Sequence, residues 1–176
     1  EGQREAWAKG AAVEFMKANP GLTLHRSLIK FANFWGLERE ILAGFQRGHY
    51  NAPMVLVGLF LAASVIFYVG VCVTGVAGFV LEGRSAAALT VFTVVLGLTV
   101  VGIHTLVFGH SRYHLPLVPF MCLYGGAFVV AKRWRTFDIR TVGWIAVLGI
   151  TLLLIGIWAR EILVDAERIM ALVRPG

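Results

Sequence analysis

The chain has 176 residues, of which 58% are hydrophobic and 15% charged, and its mean hydropathy is +0.76. Soluble domains are nearer a quarter charged and under half apolar, so this composition belongs in a bilayer. The net charge of +6 is no nucleic-acid signal, because its informative part is one short cluster between two apolar runs, where basic residues report orientation.

Residues 1–49 read as extracytoplasmic juxtamembrane helices. In "EGQREAWAKGAAVEFMKANP", Ala8, Ala12, Phe15 and Met16 share one helical face, and Pro20 follows the stop. After "PG", Leu24, Leu28, Phe31 and Trp35 recur at helical spacing, with Arg26, Lys30 and Asn33 on the opposite side. A third piece, "LEREILAGF", repeats the pattern with Leu37, Ile41 and Phe45. None is long or apolar enough to cross a membrane. Basic residues beside aromatics, Trp7 and Trp35 among them, suit amphipathic helices lying flat in the interface. A small soluble bundle that joins the same faces is the alternative.

Residues 50–160 carry four apolar runs. From Tyr50 to Leu81 there is no Asp, Glu, Lys, Arg or His. About 30 residues at 1.5 Å each exceed a hydrocarbon core of roughly 30 Å, so one helix spans with tilt or overhang. Further runs cover Ala86 to Phe108, Leu115 to Ala131, and Val142 to Ala159, the third being the shortest. The expected fold is all-α: a polytopic membrane protein with four transmembrane helices, near 50–81, 86–108, 113–131 and 142–160, preceded by interfacial amphipathic helices. Cys72 and Cys122 fall inside these runs as small hydrophobes and form neither a disulfide framework nor a zinc spacing.

The loops set the expected orientation. "AKRWRTFDIRT" holds Lys132, Arg133, Arg135 and Arg140 against Asp138 alone, which places it in the cytoplasm. Alternation then puts "EGR" (Glu82 to Arg84) inside, and "GHSRYH" and both chain ends outside. Residues 161–176, with Ile162, Ala166, Ile169 and Val173 on one stripe, extend the last helix or lie on the outer surface. The first residue is Glu1, no signal peptide precedes the first helix pattern, and an outer N-terminus needs an odd number of earlier spans. The chain is therefore expected to be the back end of a larger polytopic protein.

The polar edge of the third run, "GHSRYHLPLVPFMC", calls for its own account. Pro116 and Pro119 are tolerated near a helix start, and Leu115, preceding proline, is biased towards an extended conformation. The chain is expected to turn at Ser111 to His114 and begin a helix whose free amides and dipole favour anions. Arg112 adds a guanidinium fork that suits phosphate oxygens. His110 and His114 can exchange protons or hydrogen bonds. The plainer readings stand beside these: Arg112 snorkelling to head groups, and Tyr113 belonging to an aromatic belt. The prolines spoil a regular His110–His114 pair and no carboxylate is near, so no metal site is expected. His104, inside the second span, suits packing or hydrogen bonding.

"RYHLPLVPF" after a membrane span resembles the late motif of bacterial polytopic glycosyltransferases of family 39, which are related to protein O-mannosyltransferases and aminoarabinose transferases. "AVEFMKANPGLTLHRSLIKFANFW" is similar to that family's alanine-rich helix, "NP", and helix with a lysine before a tryptophan, with Lys30 and Trp35 in those places. The order of juxtamembrane helices, two spans, Arg-Tyr motif and two spans also fits, so the resemblance covers essentially the whole chain.

The resemblance implies a GT-C fold in the bacterial cytoplasmic membrane, and transfer of a sugar from a polyprenyl-phosphate donor on the outer face. The implied partners are membrane lipids, that sugar donor, and the N-terminal remainder of the same polypeptide, with no cofactor, metal or nucleic acid. It also implies that Arg112 meets the carrier phosphate, Tyr113 and His114 shape the pocket, and Lys30 and His110 are further donor-binding candidates. An ordinary solvated or head-group lysine is the other reading of Lys30. The family's catalytic acids lie in its first outer loop, upstream of this chain. Glu38, Glu40, Asp165 and Glu167 are not placed to replace them, so no catalytic residue is expected and the chain alone should not turn over. The alternative is a non-enzymatic four-helix membrane protein, such as a lipid-carrier translocation helper or a complex subunit. A transporter fragment would need an acidic residue inside a span, and none is there.

Overall fold

An apolar run removed from water must close its own backbone hydrogen bonds, which a helix does within one segment. The computed structural model describes residues 2–37, 53–83, 87–107 and 110–173, and these are almost wholly helical. In chain order they form α1 (Gly2–Ala18), α2 (Pro20–Phe34), α3 (Met54–Glu82), α4 (Ala87–Leu106), a 3-10 helix (Ser111–Leu117), α5 (Val118–Val130), a second 3-10 turn (Arg133–Thr136) and α6 (Val142–Val173). Four helical segments are long and apolar enough to cross a membrane: Val55–Glu82, Ala87–Leu106, Arg112–Val130 and Val142–Val164. The chain is a multi-pass membrane protein surrounded by lipid.

α1 and α2 are nearly continuous. The Asn19 amide donates to Phe15 O (2.9 Å) and the Thr23 amide to Asn19 O (3.0 Å), while Pro20 drives Asn19 out of helical geometry (φ −131°, ψ 62°). The Arg26 guanidinium sits 5.4 Å from the Phe15 ring centre across this bend. The described side chains of α1 are exposed all round, so the face expected from Ala8, Ala12, Phe15 and Met16 is not buried by this chain.

In α2 the expected stripe divides, with Phe31 and Trp35 packed against the core. Leu24 and Leu28 are 62% and 59% exposed, whereas Thr23, Ser27, Lys30 and the fully buried Phe34 face the protein. Two things set this division. Lys30 finds backbone carbonyls on α4, and the leucine stripe is left for lipid, as in a helix at the interface. Of the third expected amphipathic piece, residues beyond Leu37 lie outside the described ones, as does the stretch from Tyr50 to Ala52 at the start of the first apolar run.

The helices cross by close contact of small residues, as membrane helices without a hydrophobic driving force do. α3 and α5 form the most extensive contact. A Cβ at Gly78 would lie 1.9 Å from Tyr124 O, and one at Gly75 would lie 2.8 Å from Met121 Cβ. α6 lies along the other side of α3 and buries Trp144, Val147, Leu154, Ile157 and Trp158. Cys72 is fully buried in this core, while Cys122 is exposed. α4 stands apart, with none of its residues buried. α6 continues without a break to Val173, so the C-terminal stretch extends the last helix.

Gly78→Ala should force α3 and α5 apart and destabilise the folded protein by about 1–3 kcal/mol. Gly149→Ala, which meets nothing within 4 Å, should leave thermal unfolding in detergent unchanged. Equal unfolding temperatures for both variants would contradict this contact.

Candidate functional site

A helix ends with carbonyls that have no intrahelical partner, and in a dry environment each must find a donor elsewhere. The C-terminal end of α2 is handled in this way. Phe34 O accepts from His114 Nδ1 at 2.9 Å, so the proton of that ring nitrogen is assigned by its partner. Trp35 O accepts from Trp158 Nε1 at 2.8 Å and from the Tyr68 hydroxyl at 3.4 Å. The Leu37 amide donates to Glu161 Oε2 at 2.6 Å. Donors and acceptor come from α3, the 3-10 helix and α6, and all meet Phe34, Trp35 and Leu37.

The surroundings exclude water. His114 is 2% exposed and Glu161 6%. The His114 ring lies 4.9 Å from Tyr68 and parallel to Trp35 at 6.5 Å. Gly36 packs closely here: a Cβ would come within 2.8 Å of Glu161 Oε2, so the carboxylate that serves Leu37 would have to shift. Fourteen residues of helix separate Tyr68 from Glu82, about 21 Å, which is less than the roughly 30 Å of hydrocarbon. Measured from the charged Glu82 end, this junction lies within the apolar slab.

The end of α4 is treated likewise. Lys30 Nζ donates to Leu106 O (2.8 Å) and to Val107 O (3.4 Å), where a cation also suits the helix dipole. Lys30 is thus a cap on α4, and an ammonium with three donors keeps one for another acceptor. His104, nearby on α4, stacks on Tyr113 with ring centres 4.0 Å apart and planes 8° apart, the packing role expected of it.

The 3-10 helix differs from the expected extended entry at Leu115. A period of three brings His114 and Leu117 to one side, and both are buried. Those two contacts, with the Tyr113 amide on His110 O (3.2 Å), hold the turn despite Pro116. His110 caps it, its Nδ1 accepting from the Arg112 amide at 3.4 Å. Pro119 falls in the first turn of α5 as expected, but the amide of Val118 already donates to Leu115 O. The anticipated row of free amides is therefore reduced. The Arg112 side chain is exposed, beside His110 and one residue from Tyr113.

Below this junction is a partly open apolar groove of about 340 Å³, formed mainly between α3, α4 and α5. Trp35, Val101 and Leu117 line it, as do Phe120, Tyr124 and Ile150. It exists because α4 touches its neighbours mainly near its two ends. At one end Thr90 Oγ donates to Gly83 O (2.7 Å) and is 2.9 Å from the Tyr124 hydroxyl. At the other, α4 meets α2 and the 3-10 helix. Among the described residues no group of three His, Cys, Asp or Glu side chains could hold a metal.

The structure brings Trp35 against His114 and His110 against Tyr113, puts Lys30 on the end of α4, and leaves Arg112 exposed. Sequence reasoning missed Tyr68, Trp158 and Glu161. A tyrosine, a tryptophan and an acid within or just past apolar runs were the available signals, since polar groups at such positions usually face protein. Compared with known proteins, the chain matches no family model, no curated protein and no solved structure.

Replacing Trp158 with Phe keeps an aromatic side chain but removes the indole donor, leaving Trp35 O only the longer bond from the Tyr68 hydroxyl. The expected loss is at least about 1 kcal/mol, the net worth of one hydrogen bond, read as a lower unfolding temperature in detergent. Unfolding identical to the wild type would show that this carbonyl needs no indole.

Proposed function

We propose that the chain is the C-terminal membrane part of a glycosyltransferase that takes a sugar from a polyprenyl-phosphate donor on the outer face of a bacterial cytoplasmic membrane, and that it contributes part of the carrier's binding site. One observation carries this reading. The two segments that resemble family 39 are far apart in sequence, 80 residues at the His114–Phe34 bond, yet they meet at one junction beside an apolar groove that Trp35 and Leu117 help to line. A ligand with a charged head and a long apolar chain needs such a pair of environments side by side.

In this reading the apolar chain lies in the groove between α3, α4 and α5. Arg112, exposed at the rim, pairs with the carrier phosphate, where a guanidinium matches the oxygens in a bidentate way. The remaining donor of Lys30 is a second contact for the same anion. Tyr113 shapes the rim while stacked on His104, and His110 fixes the backbone of Arg112. His114, buried and bonded to Phe34 O, acts by locking the 3-10 helix onto α2 rather than by touching the donor. Glu161 serves the Leu37 amide and is a positioning group. The acid–base chemistry belongs to the N-terminal remainder of the polypeptide, and the basic loop lies on the cytoplasmic side.

In the complete polypeptide, Arg112→Ala should lower kcat/KM for the polyprenyl-phosphate donor by about 100-fold, the scale of losing one charge-stabilising donor, with unfolding temperature unchanged. Wild-type transfer by this variant would reduce Arg112 to a membrane anchor. Absence of any transfer by the complete polypeptide would favour the non-enzymatic helper.

A further inference from the structure

At the opposite end of the helices, the connection from α5 to α6 is a built platform rather than a loose loop. α5 ends with the Ala131 amide on Ala127 O (2.9 Å) and the Lys132 amide on Val129 O (3.1 Å). Lys132 then takes the left-handed conformation (φ 51°) that reverses the chain after a helix. The Arg135 amide closes the next turn on Lys132 O at 3.0 Å. Lys132 and Arg135 thus stand at the start and within one short turn. The turn is fastened to the bundle from below. Trp144 Nε1 donates to Thr136 O at 3.1 Å, Phe137 lies 4.9 Å from the Trp144 ring, and Trp134 lies 6.0 Å from Phe128. Arg133 is paired with Glu82. Asp138, the loop's own acid, accepts from the Arg140 amide (2.9 Å).

What remains on the surface is a set of cations with apolar groups between them. Lys132, Arg135 and Arg140 are exposed, and no ion pair joins them to an acidic side chain among the described residues. Trp134, Phe137 and Ile139 are 47%, 53% and 60% exposed. Water is a poor home for those three groups, and bulk hydrocarbon is a poor home for the cations. The headgroup boundary of a membrane satisfies both.

We propose that this platform binds the phosphates of anionic phospholipids at the membrane boundary, with Lys132, Arg135 and Arg140 as the phosphate contacts and Trp134, Phe137 and Ile139 inserted beside the acyl chains. An orienting signal needs only positive charge in the loop. The pinned turn adds a fixed arrangement, so that cations are presented to a headgroup without first being ordered, which lowers the entropic cost of binding. The proposal concerns the basic end and is independent of the transferase reading.

The purified chain in nanodiscs of mixed phosphatidylglycerol and phosphatidylcholine tests it, with native mass spectrometry counting the lipids that stay bound. The wild type should retain phosphatidylglycerol preferentially. Each cation near an anionic surface is worth about fivefold, so K132Q/R135Q/R140Q should cut that preference by about 100-fold, and Arg140→Gln alone by about fivefold. The variants keep the Arg133–Glu82 pair, and an unchanged unfolding temperature verifies the fold. R4Q/K9Q/K17Q, which removes the same charge from α1, should retain the preference. No preference in the wild type, an unchanged preference in the loop variants, or an equal fall in the α1 variant overturns the proposal.

Discussion

The end of α2 depends on a constraint that water would remove: backbone carbonyls in an apolar layer need donors from the protein itself. Phe34 O and Trp35 O obtain them from His114, Trp158 and Tyr68. Each such bond is worth about 1 kcal/mol net, but leaving a carbonyl unpaired in lipid costs several. The requirement is therefore stricter than the gain. It explains why a helix near the N-terminus, the turn before α5 and the last span are tied at one place. It also explains why the polar groups there are aromatic or buried: their apolar bodies tolerate the layer while their tips serve the backbone.

The same logic accounts for the position of α4. Its last carbonyls are held by Lys30 and its first turn by Thr90 with Gly83 and Tyr124. With both ends tied, its middle need not touch α3 or α5, whose mutual approach at Gly75 and Gly78 is already complete. The gap left over is apolar and bounded above by Trp35. Groove and junction are thus two outcomes of one arrangement: α4 is fastened at its ends, and α2 supplies the lid side chain.

Much of this was legible in the residues. Four long apolar runs define four crossings because charge is so costly in hydrocarbon, and Pro119 marks the start of α5 because proline lacks only an amide that a first turn can spare. Of the two residues singled out by resemblance, Trp35 stacks with His114 of the 3-10 helix, while Lys30 is bonded to the end of α4. The apolar stripe of α2 was read as one face, and it divides: Leu24 and Leu28 are exposed, while Phe31 and Trp35 pack against the core, a division that periodicity alone does not show. Leu115 was misread because the rule for residues before proline is local, whereas burial of His114 and Leu117 acts across the fold. Glu161 escaped notice among the charges that follow the last span, since nothing in its spacing announces that an amide from residue 37 will reach it.

The 3-10 helix has a geometric consequence for the shortest crossing. α5 itself has 13 residues, about 20 Å of α-helix, which is well short of the hydrocarbon thickness. Seven residues of 3-10 helix rise about 14 Å, against about 10 Å had they been α-helical. The tighter winding stretches the segment to roughly 34 Å with no residue added, and relieves a hydrophobic mismatch that would otherwise thin the bilayer around it. A proline usually regarded as a helix breaker here accompanies a change of pitch, and the change lets a short segment reach the far leaflet.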